Sequence, residues 1–183
     1  MQALPAMPDD TYHLFADVVH ATGVPETITG QVKTSVIREL ATPLSGDDSA
    51  WSAAQPSPTT KISWVRDDAP LVPKRLTTFT FRVDDENGEP VKDLELYMGM
   101  PGHAVFVRRD LKVFAHVHPS GSAPMVTLDM AMPDEGRHAA HLGSPPSTVT
   151  FPYGFPEPGQ YRIFVQVKRA GTIVTEAFDA DVR

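Results

Sequence analysis

Apolar and polar residues alternate in short runs along most of this chain, and turn formers interrupt the runs before any of them reaches helix length. Alternation with period two places one set of side chains on one face of an extended strand. Asn87-Gly88, Pro101-Gly102, Ser120-Gly121 and Pro158-Gly159 supply the punctuation, since Gly and Pro fix the backbone angles that tight turns need. With 18 prolines, 12 glycines and no long amphipathic stretch, the pattern predicts an all-β, antiparallel, immunoglobulin-like sandwich. The expected strands are 12–19, 27–36, 61–65, 76–83, 94–98, 103–108, 113–118, 125–128, 148–151, 160–168 and 172–182.

A length of 183 residues with 41% hydrophobic content suffices for one substantial core with an attached segment. The segment is an N-terminal hairpin that echoes the C-terminal one. Tyr12, Phe15, Val18, Ala21, Gly23, Glu26 and Val32 match Tyr161, Phe164, Val167, Ala170, Gly171, Glu176 and Val182 in order. The expected organisation is therefore an orphan hairpin over 1–40, a Ser/Pro/Asp-rich connector over 41–69, and a sandwich over 70–183. Trp51 and Trp64 suggest that part of the connector packs down. An isolated hairpin is marginal. It is expected to pack on the main domain, to form a homodimer with a second copy, or to belong to a longer two-repeat protein.

A formal charge of -7 excludes a nucleic-acid footprint of clustered cations. Arg108-Arg109, followed by Asp110, reads as a solvated hairpin tip. The absence of cysteine removes disulfides, thiolate catalysis and the blue-copper ligand set. No apolar run has the length of a membrane span, and the first 20 residues lack a basic start with an apolar signal core.

Met98-Gly-Met-Pro-Gly-His103 and Phe114-Ala-His116-Val-His118-Pro119 carry the chemistry. His116 and His118 share a strand face, and a strand, turn and strand between them and His103 would bring three imidazoles to one end of a hairpin. A register slip of one residue would send His103 to the other face. Imidazole binds copper, zinc, iron or nickel, and thioethers favour Cu(I). The expected metal ligands are His103, His116 and His118, with Met100 or Met98 as a fourth. The structural alternative is a polar, hydrogen-bonded rim, with Leu94, Leu96, Met98 and Met100 forming one alternating apolar face. Met130, Met132, His138 and His141 form a weaker group in a Pro/Gly/Ser-rich loop, and His13 and His20 are expected on the surface.

No nucleophile elbow, phosphate loop or His-Glu-x-x-His helix is present. His116-Val-His118 lacks the downstream carboxylate of a cupin oxygenase, and Tyr161 stands where the second cupin motif would place His. The reading is non-enzymatic. Tyr161 instead resembles the tyrosine corner of sandwich domains, and Tyr153 and Glu157 are expected to be structural.

Gly99-Met-Pro-Gly-His103, Asp110-Leu-Lys-Val-Phe-Ala-His-Val-His-Pro119 and Phe151-Pro-Tyr-Gly-Phe-Pro-Glu-Pro-Gly-Gln-Tyr-Arg162 resemble the motifs of a bacterial cell-envelope β-sandwich module. The same stretch is more distantly similar to YtkA-like domains. The resemblance covers about residues 94–182. It implies an immunoglobulin- or cupredoxin-like sandwich in a periplasmic or extracellular setting. It also implies a copper ion, or alternatively zinc, exchanged with a metal-handling protein. Lack of a visible signal peptide departs from that setting.

Overall fold

Ten strands form from the described residues, which in this computed structural model are 10–20, 25–34, 57, 59–120 and 144–183. They are β1 (Thr11–Val19), β2 (Pro25–Lys33), β3 (Thr60–Val65), β4 (Thr77–Asp85), β5 (Leu94–Glu95), β6 (His103–Arg108), β7 (Phe114–Val117), β8 (Thr148–Tyr153), β9 (Gly159–Arg169) and β10 (Thr172–Val182). The chain divides into two units, 1–52 and 53–183. Among the described residues no helix is long and apolar enough to cross a membrane.

The larger unit is a sandwich of two antiparallel sheets. One has the order β3-β4-β8, and the other β10-β9-β6-β7 with β5 also on β9. In immunoglobulin lettering these are the A-B-E and G-F-C-C′ sheets. Alternation along the strands decides what lies between them. Phe79, Phe81 and Phe151 point inward from one sheet, and Phe106, Ile163, Val165 and Val167 from the other, all fully buried. Phe79 meets Phe106 edge-on with 5.0 Å between ring centroids, and Phe81 reaches Phe178 at 5.1 Å. The expected connector is partly sandwich: β3 pairs with β4 from Thr60↔Asp85 to Val65↔Thr80. Alternation within 61–65 already marked this strand. Trp64 packs against the core as expected, whereas Trp51 and the expected strand 125–128 lie outside the described residues.

The tyrosine corner is present. Tyr161, 1% exposed, donates its hydroxyl to the Glu157 carbonyl at 2.8 Å. Glu157 also pairs with Arg108, whose Nε reaches Asp110 at 2.8 Å. Arg108 is thus committed to bracing the hairpin tip, and its side chain is 13% exposed where a solvated tip was expected. Tyr153 stacks on Phe106 at 4.2 Å.

One edge of β9 is occupied by β10 along its whole length, so β5 and β6 must share the other. They behave as one strand interrupted at 96–102. The expected strand 94–98 stops at Glu95 because Met98 and Gly99 adopt φ of 50° and 81°. Two successive positive values make a type I′ turn. Across it Tyr97 and Met100 exchange backbone hydrogen bonds of 2.8 and 3.1 Å. The interruption breaks the alternation expected for Leu94, Leu96, Met98 and Met100. The chain rejoins β9 at Gly102, where a Cβ would stand 2.7 Å from the Gln166 carbonyl oxygen; only glycine permits that approach.

The smaller unit contains β1 paired with β2, with Tyr12↔Val32, Leu14↔Gly30, Ala16↔Ile28 and Val18↔Glu26 in register. Directly paired residues share a face. That face therefore gathers Tyr12, Leu14, Ala16, Val18, Ile28 and Val32, and the large aliphatic members are exposed. His13 and His20 are exposed as expected.

Replacing Tyr161 by Phe removes a buried hydrogen bond while keeping the ring. A loss of about 1 kcal/mol is expected, read as a lower urea midpoint with an unchanged denaturant slope.

Candidate metal centre

The β6–β7 register determines whether the histidines meet. Val105 pairs with His116, Phe106 with Ala115 and Ala104 with Val117. One step further in the same register, His118 stands opposite His103. Ala104 and Phe106 point into the core, so His103, His116 and His118 share the outer face of the larger sheet. There His103 pairs with Gln166 on β9, and Gln166 Nε2 donates to Thr175 Oγ1 on β10 at 3.2 Å.

The three imidazoles converge as expected. Ring centroids are 5.1 Å apart for His103 and His116, 5.5 Å for His103 and His118, and 4.9 Å for His116 and His118. One ligand nitrogen from each lies within 4.8 Å of the others. His103 is only 4% exposed, and His116 and His118 are half-buried. A donor set of three neutral rings adds no charge of its own.

Tyr97, which sequence reasoning did not single out, orients the set. His103 Nε2–H donates to the Tyr97 carbonyl at 2.9 Å, and the Tyr97 ring stands edge-on to the imidazole at 5.0 Å. That bond leaves Nδ1 with its lone pair, directed at His116 Nε2 2.9 Å away. A histidine whose second nitrogen donates to a backbone carbonyl is the usual outer support of a metal ligand. Nitrogens bound to one tetrahedral ion at ~2.0–2.1 Å lie roughly 3.3 Å apart, so a few tenths of an ångström of opening would admit the ion. Without metal, the pair holds one shared proton. The only sequence signal for the Tyr97 contact is the Met98-Gly99 turn, which brings Tyr97 back beside Met100.

The two candidate thioethers separate. Met98 occupies the tip of the turn at 67% exposure, and Met100 is 3% exposed. Met130, Met132, His138 and His141 lie outside the described residues.

Burial pushes the His103 imidazole below its ordinary 6.5; the Tyr97 hydrogen bond opposes the shift and nearby His118 adds to it. Below pH 6.5 the unfolded chain therefore takes up this proton before the folded chain does. The stability that depends on neutral His103 is complete above 6.5 and is lost as pH falls through the folded value. Two-dimensional NMR of metal-free protein should show His103 titrating below 6.5, with Nε2 carrying the proton of the neutral ring. Titration at or above 6.5 would refute the buried, carbonyl-bound placement.

No curated protein sequence matches the chain. Among solved structures, the crystal structure of the Lin-41 filamin domain aligns at 19% identity, over 67% of this chain and 91% of that one, with a TM-score of 0.36. Residues 59–183, which span β3 to β10 and all three histidines, match a family described as "Domain of unknown function (DUF8832)", and the chain belongs to that family.

Proposed function

We propose that this protein is a non-enzymatic β-sandwich module that binds a metal ion through His103, His116 and His118. Copper is preferred to zinc, and the role is sequestration or delivery in the cell envelope. The observation that carries the reading is the commitment of His103 Nε2–H to the Tyr97 carbonyl. It turns the free nitrogen toward His116, on a face where His118 also converges. Imidazole alone suits either metal. Copper is favoured because the turn that anchors His103 carries one methionine at its tip and another at its end, and thioether donors select copper over zinc. The half-buried His116 and His118 leave a side from which a metal-handling partner can exchange the ion. The motif resemblance to envelope modules supports the location.

Calorimetric titration of chelator-stripped protein should show one ion bound per chain. Replacing both His116 and His118 by Ala should abolish binding and leave the strand content unchanged. Both residues stand outside the core, so their loss removes ligands without opening a cavity. Undiminished stoichiometry in the double variant would sink the proposal.

The exposed apolar face of the β1–β2 hairpin favours a second reading, an interaction module. Tyr12, Leu14, Ala16 and Val18 correspond in the repeat to Tyr161, Ile163, Val165 and Val167, the buried inner face of β9. Ile28 and Val32 likewise correspond to Phe178 and Val182 of β10. On this reading the hairpin makes a homodimer and the histidines form a polar rim. Sedimentation would then show a concentration-dependent oligomer that disappears on deleting residues 11–36, with metal content unaffected. A monomer at every concentration would eliminate it.

A further inference from the structure

We propose that Met100 is the fourth donor of the three-histidine centre, completing a set of three imidazoles and one thioether that takes Cu(I) in preference to Zn(II). This rests on the metal-binding reading above and decides between two methionines that spacing alone left open.

Three observations converge on Met100. Its side chain is almost fully buried at 3% exposure, yet it stands outside the contiguous cluster that fills the sandwich. Its backbone pairs directly with Tyr97 across the two-residue turn. Paired residues of an antiparallel ladder project to the same side. The Tyr97 ring lies against the His103 imidazole, so the Met100 side chain leaves the rung on the side where His103 stands. Met98 has neither property: it sits at the turn tip with φ of 50° and faces solvent.

The chemistry follows from the donor. A thioether is soft and neutral, and it stabilises Cu(I). Zinc sites draw on thiolate, imidazole and carboxylate. Methionine has three rotatable side-chain bonds, which allow its sulfur to reach an ion without moving the backbone rung. One short rung thus serves two purposes, since the Tyr97 carbonyl orients His103 and Met100 brings the sulfur. With four neutral donors the complex keeps the charge of the ion, which suits a monovalent cation in a half-buried site.

The test compares wild type with Met100→Leu, Met98→Leu and the His116/His118 double Ala variant. Cu(I) affinity is read by competition with a colorimetric Cu(I) chelator, and Zn(II) affinity by competition with a fluorescent zinc chelator. Leu conserves the apolar volume of Met, so the fold should survive. Met100→Leu should weaken Cu(I) by about tenfold or more, the scale on which even supporting groups act, while Zn(II) stays unchanged. Met98→Leu should change neither. Copper-edge X-ray absorption of the wild-type Cu(I) complex should show one sulfur neighbour, kept in Met98→Leu. That spectrum tests the proposal even where Met100→Leu fails to fold. Nitrogen-only coordination, or equal weakening of both metals, would overturn the thioether role and leave the three-histidine reading standing. Failure of wild type to bind either ion better than free histidine would overturn both.

Discussion

Strand β9 carries ladders on both edges, and the faces of the larger sheet follow from its register. Tyr161, Ile163, Val165 and Val167 point inward, which leaves Arg162, Phe164 and Gln166 outside. Because β6 is held opposite these residues, His103 falls beside Gln166 on the outer face. A slip of one residue would drive His103 inward and expel Phe106 from its contacts with Phe79 and Tyr153. Exposing such a ring costs on the order of 3 kcal/mol. The apolar core therefore enforces the register on which convergence of the three imidazoles depends. The core and the site occupy opposite faces of the same strands, and one alternation governs both.

The break between β5 and β6 is the second structural element of the site. Leaving the edge of β9 over 96–102 forfeits ladder hydrogen bonds, and the Tyr97–Met100 rung recovers two of them locally. The excursion places a carbonyl over His103, selects its tautomer and covers its ring. Burial that disfavours the imidazolium keeps the nitrogen unprotonated near neutral pH, as a metal ligand requires. Return to the sheet at Gly102 depends on the missing Cβ, so the residue that ends the excursion also seats His103 at the start of β6.

Much of this was legible in the chain. Alternation located all ten of the described strands, and the Tyr161 corner followed from the Pro-Gly just before it. The His-x-His spacing placed His116 and His118 on one face because a strand has period two. The strand expected to run from Leu94 to Met98 was too long because an apolar alternation continued through a turn. Met-Gly is a weaker turn signal than Asn-Gly, although its glycine supplied one of the two positive φ angles. The connector was drawn too far, since β3 gains its place by pairing with β4, a relation between residues about 20 positions apart that local composition does not express.

The sequence by itself determined an all-β chain without cysteine chemistry and a pair of same-face histidines. These are local properties, set by side-chain size, polarity and backbone period. Only the tertiary structure decided that His103 joins the pair, which of its nitrogens is free, and that Met98 and Met100 go to opposite environments. Each of those outcomes depends on contacts between strands, and their registers are chosen by burial of the core shared by the two sheets, which no single strand specifies.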